Sequence, residues 1–457
     1  MAKILSLENN ISFFDFSCPH RDYTAYLNRF YSSEIGRLYD SLPWKDIYKC
    51  VKKNYGDPRG RKSLFSLHGK VALMFLKSYT GFSDRKLVEH LNTDFSLQFF
   101  CHIYLHPDEY IKDFKIISKI RMGLSKSMDW TQLQKVLMGH WKGLLDNIHV
   151  GMCDATCYET DMRYPTDPKL LWESCEWTYQ QMKRICKSAR MRMPRNKYAD
   201  QKSKFLAYQK RRKKTHKLTV KRKRSLLYLL DKLLNQLKEV LSQIAKDDHL
   251  VMPQRFFRRL SIIHKILIQQ RQLFDGQPVE NRIVSIRKDY IRPIVRGKET
   301  KRVEFGAKVN ILQIDGINFI EHLSFEAFNE STRLQSTIHL LRQLTGKCTH
   351  IAADQIYATN ANRSYCSKNG IYTSFTRKGK PGKLEDQRMI LQSTLSKHRA
   401  TRLEGSFGIE KNHFGLTRIR ARTKPSEILW IYFAIHTANA VRISKRIHAQ
   451  KGRAKAV

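Results

Sequence analysis

Residues 147–167 read NIHVGMCDATCYETDMRYPTD, and the placement of this stretch decides the fold. Ile148, Val150 and Met152 alternate with His149 and Gly151, the period of a half-buried strand. The alternation stops at Asp154, where small, polar and turn-forming residues take over. A carboxylate at a strand end, on the rim of a core, is well placed to hold a hard cation through oxygen. Taken alone, an Asp in such a position is more often a turn former or helix cap. The residues far downstream decide between the two.

From Arg282 onward the hydrophobic period is again two. Val303, Phe305, Ala307, Val309 and Ile311 form one expected strand, and Ile317 to Phe325 another, with Asp315-Gly316 as the hairpin turn between them. A helix is expected from Ser331 or Thr332 to Leu344, then a short buried strand, His350 to Ala353, that ends in Asp354. Helix 360–368, strand 371–375 and a Gly/Lys/Pro loop at 377–383 follow. The remainder to residue 447 is mainly helical. A meander followed by alternating strands and helices is the order of an α/β, ribonuclease H-like sheet, whose first and fourth strands are neighbours. Asp154 and Asp354 are then expected side by side. The expected third acid is Glu404, in RLEGSFGIEKNHFGL (402–416), with Lys411 seven residues on and on the same helix face. Glu410 competes with it but lies off that face. Acids of this kind can hold two Mg²⁺ ions about 4 Å apart, with Mn²⁺ as the expected substitute.

The whole chain has 457 residues, 41% apolar, and a net charge of +43. That is globular composition with a field suited to a polyanion, and DNA is the expected partner. No basic helix has one clean apolar face, and the run 429–441 is too short to span a bilayer. The nine cysteines form no CxxC pair, so zinc is not expected and reduced thiols in a cytoplasm are. The opening segment does not have the pattern of a signal peptide. Helices are expected at 66–80, broken by Gly81, and at 84–91, capped by Ser83. Helix, short glycine turn, helix is shared by helix-turn-helix DNA readers and ordinary hairpins. From Lys183 to Arg224 the chain carries nineteen Lys and Arg against one acid, Asp200, with Tyr198, Phe205 and Tyr208 interleaved. A phosphate-binding surface is favoured there, with Arg211, Arg212, Lys213 and Lys214 at its densest point. Leu226, Leu230, Leu233, Leu237, Val240 and Ile244 then form a heptad seam. Phe256, Leu260, Ile263 and Leu267 repeat it, as in an antiparallel helical hairpin. The expected organisation is a helical DNA-binding and assembly domain (1–145) and a catalytic core (146–167 with 282–447). A basic helical insertion (168–281) divides the core, and a basic tail (448–457) ends the chain.

DATCYETDMRYPTD (154–167), RPIVRGKETKRVEFGAKV (292–309), AADQIYATNANR (352–363) and RLEGSFGIEKNHFGLTRIRAR (402–422) resemble, in order and content, the blocks of bacterial insertion-sequence transposases. The nearest group is the DDE type of the IS-four/IS-five-like superfamily with a helical insertion after the first core strand. GFSDRKLVEHLNTDFSLQFF (81–100) resembles that group's helical N-terminal domain. The resemblance implies metal-dependent DNA cleavage and strand transfer by a dimer assembled on DNA. Asp154, Asp354 and Glu404 match the metal ligands, and Lys411 matches the phosphate-contacting lysine. Lys397 and Ala400 stand where the family carries a tyrosine and an arginine, so Arg399 or Arg402 is the substitute for that arginine. Lys308, Arg296 and Lys298 are further candidates for phosphate contact. A nuclease without strand transfer and a DNA-binding regulator without catalysis are the competing readings.

Overall fold

The computed structural model describes residues 3–4, 20–52, 63–105, 108–244, 252–295 and 303–455. Two compact units are present, one comprising 1–161, 307–324 and 328–457, the other 162–306 and 325–327. The architecture is mixed α/β.

In the first unit, α1 (His20–Ser32), α2 (Glu34–Asp40), α3 (Trp44–Lys49) and α4 (Leu67–Thr80) lead to α5 (Asp84–Thr93) and α6 (Phe95–Phe100). The expected Gly81 break and Ser83 cap are present. Ser66 and Ser83 accept hydrogen bonds from the backbone N–H groups of Gly69 and Lys86, Asp94 caps α6, and Gly81 ends α4 with φ +63°. A two-residue pairing joins β1 (Lys3–Ile4) to β2 (Ile103–Tyr104), and α7 (Lys115–Ser127) and α8 (Trp130–Trp141) complete the set.

His68 and His102 stack at 3.5 Å inside this helical cluster. Tyr48 bonds Nδ1 of His68, whose Nε2 lies 2.9 Å from the Phe100 carbonyl, and Tyr39 meets Nε2 of His102 at 2.8 Å. Burial holds their pKa values down to about 3 and about 4. Both lie below the ordinary value of 6.5, so the unfolded chain takes up protons first as pH falls. The stability of the neutral pair is therefore complete above about pH 6.5 and is lost as pH falls toward 4. A lower urea midpoint at pH 5 than at pH 7 is expected, and a smaller difference in His102→Asn.

The main sheet contains β3 (Val150–Glu159), β4 (Pro293–Val295), β5 (Val303–Ile314), β6 (Ile317–Ser324), β7 (His350–Ala353) and β8 (Tyr372–Thr373). Its order is β4-β5-β3-β7-β8, with β6 also on β5. Strands β3 and β7 run parallel, with Met152 opposite Ala352 and Cys153 opposite Ala353. Asp315 (φ +45°) and Gly316 (φ +85°) turn β5 into β6 with both central residues left-handed, as a tight hairpin requires. Gly151 has a different reason. A Cβ there would stand 3.0 Å from methyl groups of Ile351, Leu312 and Leu341. Gly151→Val is expected to cost about 1–3 kcal/mol by overpacking, read as a lower urea midpoint.

The edge strand β6 is covered by side-chain amides. Gln134 of α8 donates to the Ile320 carbonyl (3.0 Å) and accepts from its N–H (2.6 Å). Asn439 of α17 (Lys424–Lys455) does the same at Asn318, at 2.7 and 2.9 Å. Edge backbone that would otherwise recruit another strand is thereby satisfied. Helix α17 also packs on α2, α4 and α7. This is why the N-terminal helices fall in one compact unit with the sheet rather than as the separate 1–145 domain expected from sequence. The helix also runs on to Lys455, through most of the expected tail. Helices α13 (Leu334–Thr345), α14 (Asn360–Lys368), α15 (Glu385–His398) and α16 (Glu404–His413) complete the unit.

The second unit contains α9 (Asp167–Ser188), α10 (Tyr198–Lys210), α11 (His216–Ile244) and α12 (Gln254–Phe274). The Leu226–Ile244 seam is buried. Arg271 pairs with Asp231, and Arg224 lies over Phe274, so α11 and α12 are antiparallel as expected. The larger partner of α11 is α9, whose buried Leu171, Cys175, Thr178, Met182 and Ile185 repeat the four-and-three step with smaller and more polar residues. Asp167 joins these helices, its carboxylate receiving Lys223 (2.9 Å), Gln270 (3.2 Å) and Arg282. Those partners, outweighing the cost of burial, hold its pKa low. Among the described residues, no helix is long and apolar enough to cross a membrane.

Candidate active site

The site is built on one face of β3. Successive residues of a strand point to opposite faces, so Asp154, Thr156, Tyr158 and Thr160 share one. Each meets a residue from the C-terminal helices. Arg399 reaches Asp154 Oδ2 at 2.7 Å, Lys411 Nζ reaches the Thr156 hydroxyl at 3.0 Å, Tyr158 donates to Glu410, and Thr160 donates to Glu427 at 2.7 Å.

Asp354 follows β7 directly. Because Cys153 and Ala353 are in register, Asp154, within β3, and Asp354, just past the end of β7, lie at the same level of adjacent strands; β3 runs on to Glu159, so Asp154 does not end it as the alternation suggested. The Oδ1 atom of each accepts the N–H of the next residue, at 2.7 Å from Ala155 and 2.6 Å from Gln355. The turn after Asp354 (Gln355–Tyr357) is anchored from below. The Tyr357 hydroxyl donates to Asn310 at 2.8 Å, and the Asn310 amide donates to Thr337 at 3.0 Å and Glu321 at 2.9 Å. A satisfied buried network of this kind fixes the turn that carries Asp354.

Glu404 starts α16 and is half exposed. Between α15 and α16 the backbone widens into a π turn, Arg399–Leu403. In an α-helix, residues five apart point in different directions, whereas one π turn brings i and i+5 together. Arg399 and Glu404 are five apart, and Arg399 Nη1 lies 3.2 Å from Glu404 Oε1 while also holding Asp154. The guanidinium thus stands between two of the three expected ligands. Burial raises the Asp154 carboxyl to about 6 in spite of Arg399, with Glu330 and Asp354 adding to the rise.

The remaining expected residues are placed as follows. Arg402 turns toward the hairpin, 3.8 Å from Asp315, so Arg399 rather than Arg402 faces the acids. Lys308 is buried, with its ammonium 2.7 Å from Glu330 and 2.9 Å from the Phe328 carbonyl. Arg211, Arg212, Lys213 and Lys214 are exposed between α10 and α11. Arg296 and Lys298 lie outside the described residues. Glu410 is buried and receives Tyr158 and the Asn318 amide (2.6 Å). Two features escaped sequence reading. One is Glu330, whose charge acts on Asp154 from the short turn before α13. The other is the π turn, because helical periodicity assumes unbroken α geometry.

The donor set is of hard carboxylate oxygens, the kind that Mg²⁺ and Mn²⁺ prefer. Among the described residues, no three acidic, His or Cys side chains are close enough to hold an ion as they stand. A cationic side chain fills the gap between Asp154 and Glu404 instead, so the pocket is already suited to positive charge.

A family model described as "Transposase DDE domain" matches residues 351–439. That span contains Asp354, Arg399, Glu404 and Lys411 but not Asp154. A second, "Transposase domain (DUF772)", matches residues 28–122, from within α1 into α7. No curated protein and no solved structure matches the chain. Two separate matches, one over the helical N-terminal region and one over the segment carrying two of the three acids, indicate a transposase of the DDE type.

Proposed function

We propose that the chain is an insertion-sequence transposase of the IS-four/IS-five-like group, which cuts DNA at the ends of its element and joins those ends to a target. The observation that carries this is the placement of Asp154 and Asp354 at the same level of parallel neighbours, with Glu404 reaching Asp154 through Arg399. The strand order β6-β5-β3-β7-β8 supports reading the sheet as ribonuclease H-like, with a helical insertion after its first strand.

Asp154, Asp354 and Glu404 would hold two Mg²⁺ ions, with Mn²⁺ as a substitute. When bound, such ions lower the pKa of an attacking water or 3′-hydroxyl and neutralise charge on the leaving oxygen. The protein's own contribution is alignment. The parallel register fixes two carboxylates, and the Tyr357–Asn310–Thr337 network holds the turn that carries one of them. Lys411, beside Thr156 on the same strand face as Asp154, supplies positive charge two residues along from the acids. No covalent enzyme intermediate is needed, so the buried cysteines have no catalytic duty here.

DNA is the proposed polyanionic partner, held by a homodimer that keeps both ends together. Each phosphate contact contributes about 0.9 to the slope of log affinity against log salt. Replacing Arg211, Arg212, Lys213 and Lys214 together by Ala is expected to flatten that slope by up to about 3.5, measured by fluorescence anisotropy. An unchanged slope would remove this loop from the interface.

The test of function is incubation of labelled element-end DNA with target DNA in Mg²⁺. Joined products are expected, and their loss on chelation. Cleavage without joining would favour a nuclease, and binding without cleavage a regulator.

A further inference from the structure

Arg399 is held in an unusual way for a surface-derived helix residue. Its side chain is only 15% exposed, and a single nitrogen, Nη1, lies 2.7 Å from Asp154 Oδ2 and 3.2 Å from Glu404 Oε1. The π turn Arg399–Leu403 is what allows both contacts, because it brings residues five apart onto one side of the helix. Without a compensating cation, the largely buried Asp154 carboxylate would lie near the charges of Glu404, Asp354 and Glu330, and neighbouring like charges disfavour one another. Lys308 does not supply this compensation, since its ammonium sits on Glu330 and the Phe328 carbonyl.

We propose that Arg399 is a tethered counter-ion, which occupies the cation position between Asp154 and Glu404 and must be displaced for a divalent ion to take both carboxylates. The inference rests on the reading that these acids bind metal. It adds that metal entry is an exchange of one cation for another rather than simple filling. In the metal-free chain Arg399 keeps Asp154 and Glu404 from repelling each other, and it raises the divalent-ion concentration needed to load the site.

The exchange has consequences that can be read without DNA cleavage. Breaking one charge-assisted hydrogen bond and one ion pair weakens ion binding, so removing Arg399 is expected to tighten Mn²⁺ roughly tenfold. The experiment is calorimetric titration of Mn²⁺ into full-length wild type, Arg399→Gln, Arg399→Lys and Asp354→Asn, with melting temperature recorded for each with and without the ion. Tighter Mn²⁺ binding by Arg399→Gln, an intermediate affinity for Arg399→Lys, and a lower metal-free melting temperature for Arg399→Gln that Mn²⁺ restores are the expected results. Mn²⁺ binding in wild type that is lost in Asp354→Asn but unchanged or weaker in Arg399→Gln would overturn the exchange and leave the metal site standing. Absence of Mn²⁺ binding in wild type would overturn both. Arg399→Lys keeps the charge and guards against a variant that fails to fold: equal affinities of Arg399→Lys and wild type, with Arg399→Gln unfolded, would also overturn the proposal.

Discussion

Asp354→Asn is expected to lower metal-dependent DNA cleavage by about 10³-fold or more, with little change in melting temperature. The substitution keeps the shape of the side chain and the oxygen that accepts the Gln355 N–H, so the short turn after β7 stays capped. It removes the negative charge that a divalent ion requires. A metal ion contributes several kcal/mol of transition-state stabilisation, and each 1.4 kcal/mol is tenfold in rate. Asp354 is exposed at the rim, so the structural cost is small. Loss of cleavage with DNA binding and stability intact would separate catalysis from folding. Cleavage within about tenfold of wild type would remove Asp354 from the site.

The second large effect separates the two glutamates of α16. Glu410→Ala is expected to destabilise the fold by about 3–5 kcal/mol, the range for breaking a buried charged contact. Glu404→Ala is expected to remove cleavage with a stability change near zero. Glu410 is fully buried and receives both the Tyr158 hydroxyl and the Asn318 amide. Truncating it leaves two buried donors unpaired and opens a cavity. Glu410→Gln fills the same space and keeps an oxygen to accept the Tyr158 hydroxyl, so it should cost much less than Ala. Glu404 is half exposed, with Arg399 Nη1 3.2 Å from its carboxylate. Urea melts of the three variants beside a cleavage assay measure both halves of the expectation. A stable, inactive Glu410→Ala with an active Glu404→Ala would exchange the two assignments.

Much of this arrangement was legible in the chain because it is carried by local chemistry. The Asp315-Gly316 turn, the Gly81 break and the Ser83 cap each announce a backbone conformation within a few residues, whereas β3 runs past the expected end at Asp154 to Glu159. The neighbourhood of Asp154 and Asp354 was legible at one remove, because a meander followed by alternating strands and helices leaves few ways to order a sheet. What escaped depends on distant contacts or on broken periodicity. Gln134 and Asn439 cover the backbone of β6 from opposite ends of the chain, and no pattern near either residue signals it. The resulting union of the N-terminal helices with the sheet was therefore not foreseen. The pairing of α9 with the α11 seam also escaped, because Cys175 and Thr178 weaken the apolar step of α9. Lys308 reads from sequence as a cation available for phosphate, yet its strand position turns it inward onto Glu330. The π turn defeats helical-wheel reasoning directly, since Arg399 and Glu404 fall on different faces of an α-helix and on the same side here.

If the carboxylates within β3 and just past β7 act by holding a metal ion, exchanging the hardness of one ligand tests it most directly. Asp354→Cys places a thiolate where a carboxylate oxygen stood, and thiolates bind Mg²⁺ poorly while accepting softer Mn²⁺. The measurement is cleavage of labelled element-end DNA by Asp354→Cys in Mg²⁺ and in Mn²⁺, beside wild type and Asp354→Asn. Loss of cleavage in Mg²⁺ with recovery in Mn²⁺, in Cys but not in Asn, is the predicted result. Wild-type cleavage by Asp354→Cys in Mg²⁺, or metal-independent cleavage by any of the three proteins, would contradict it.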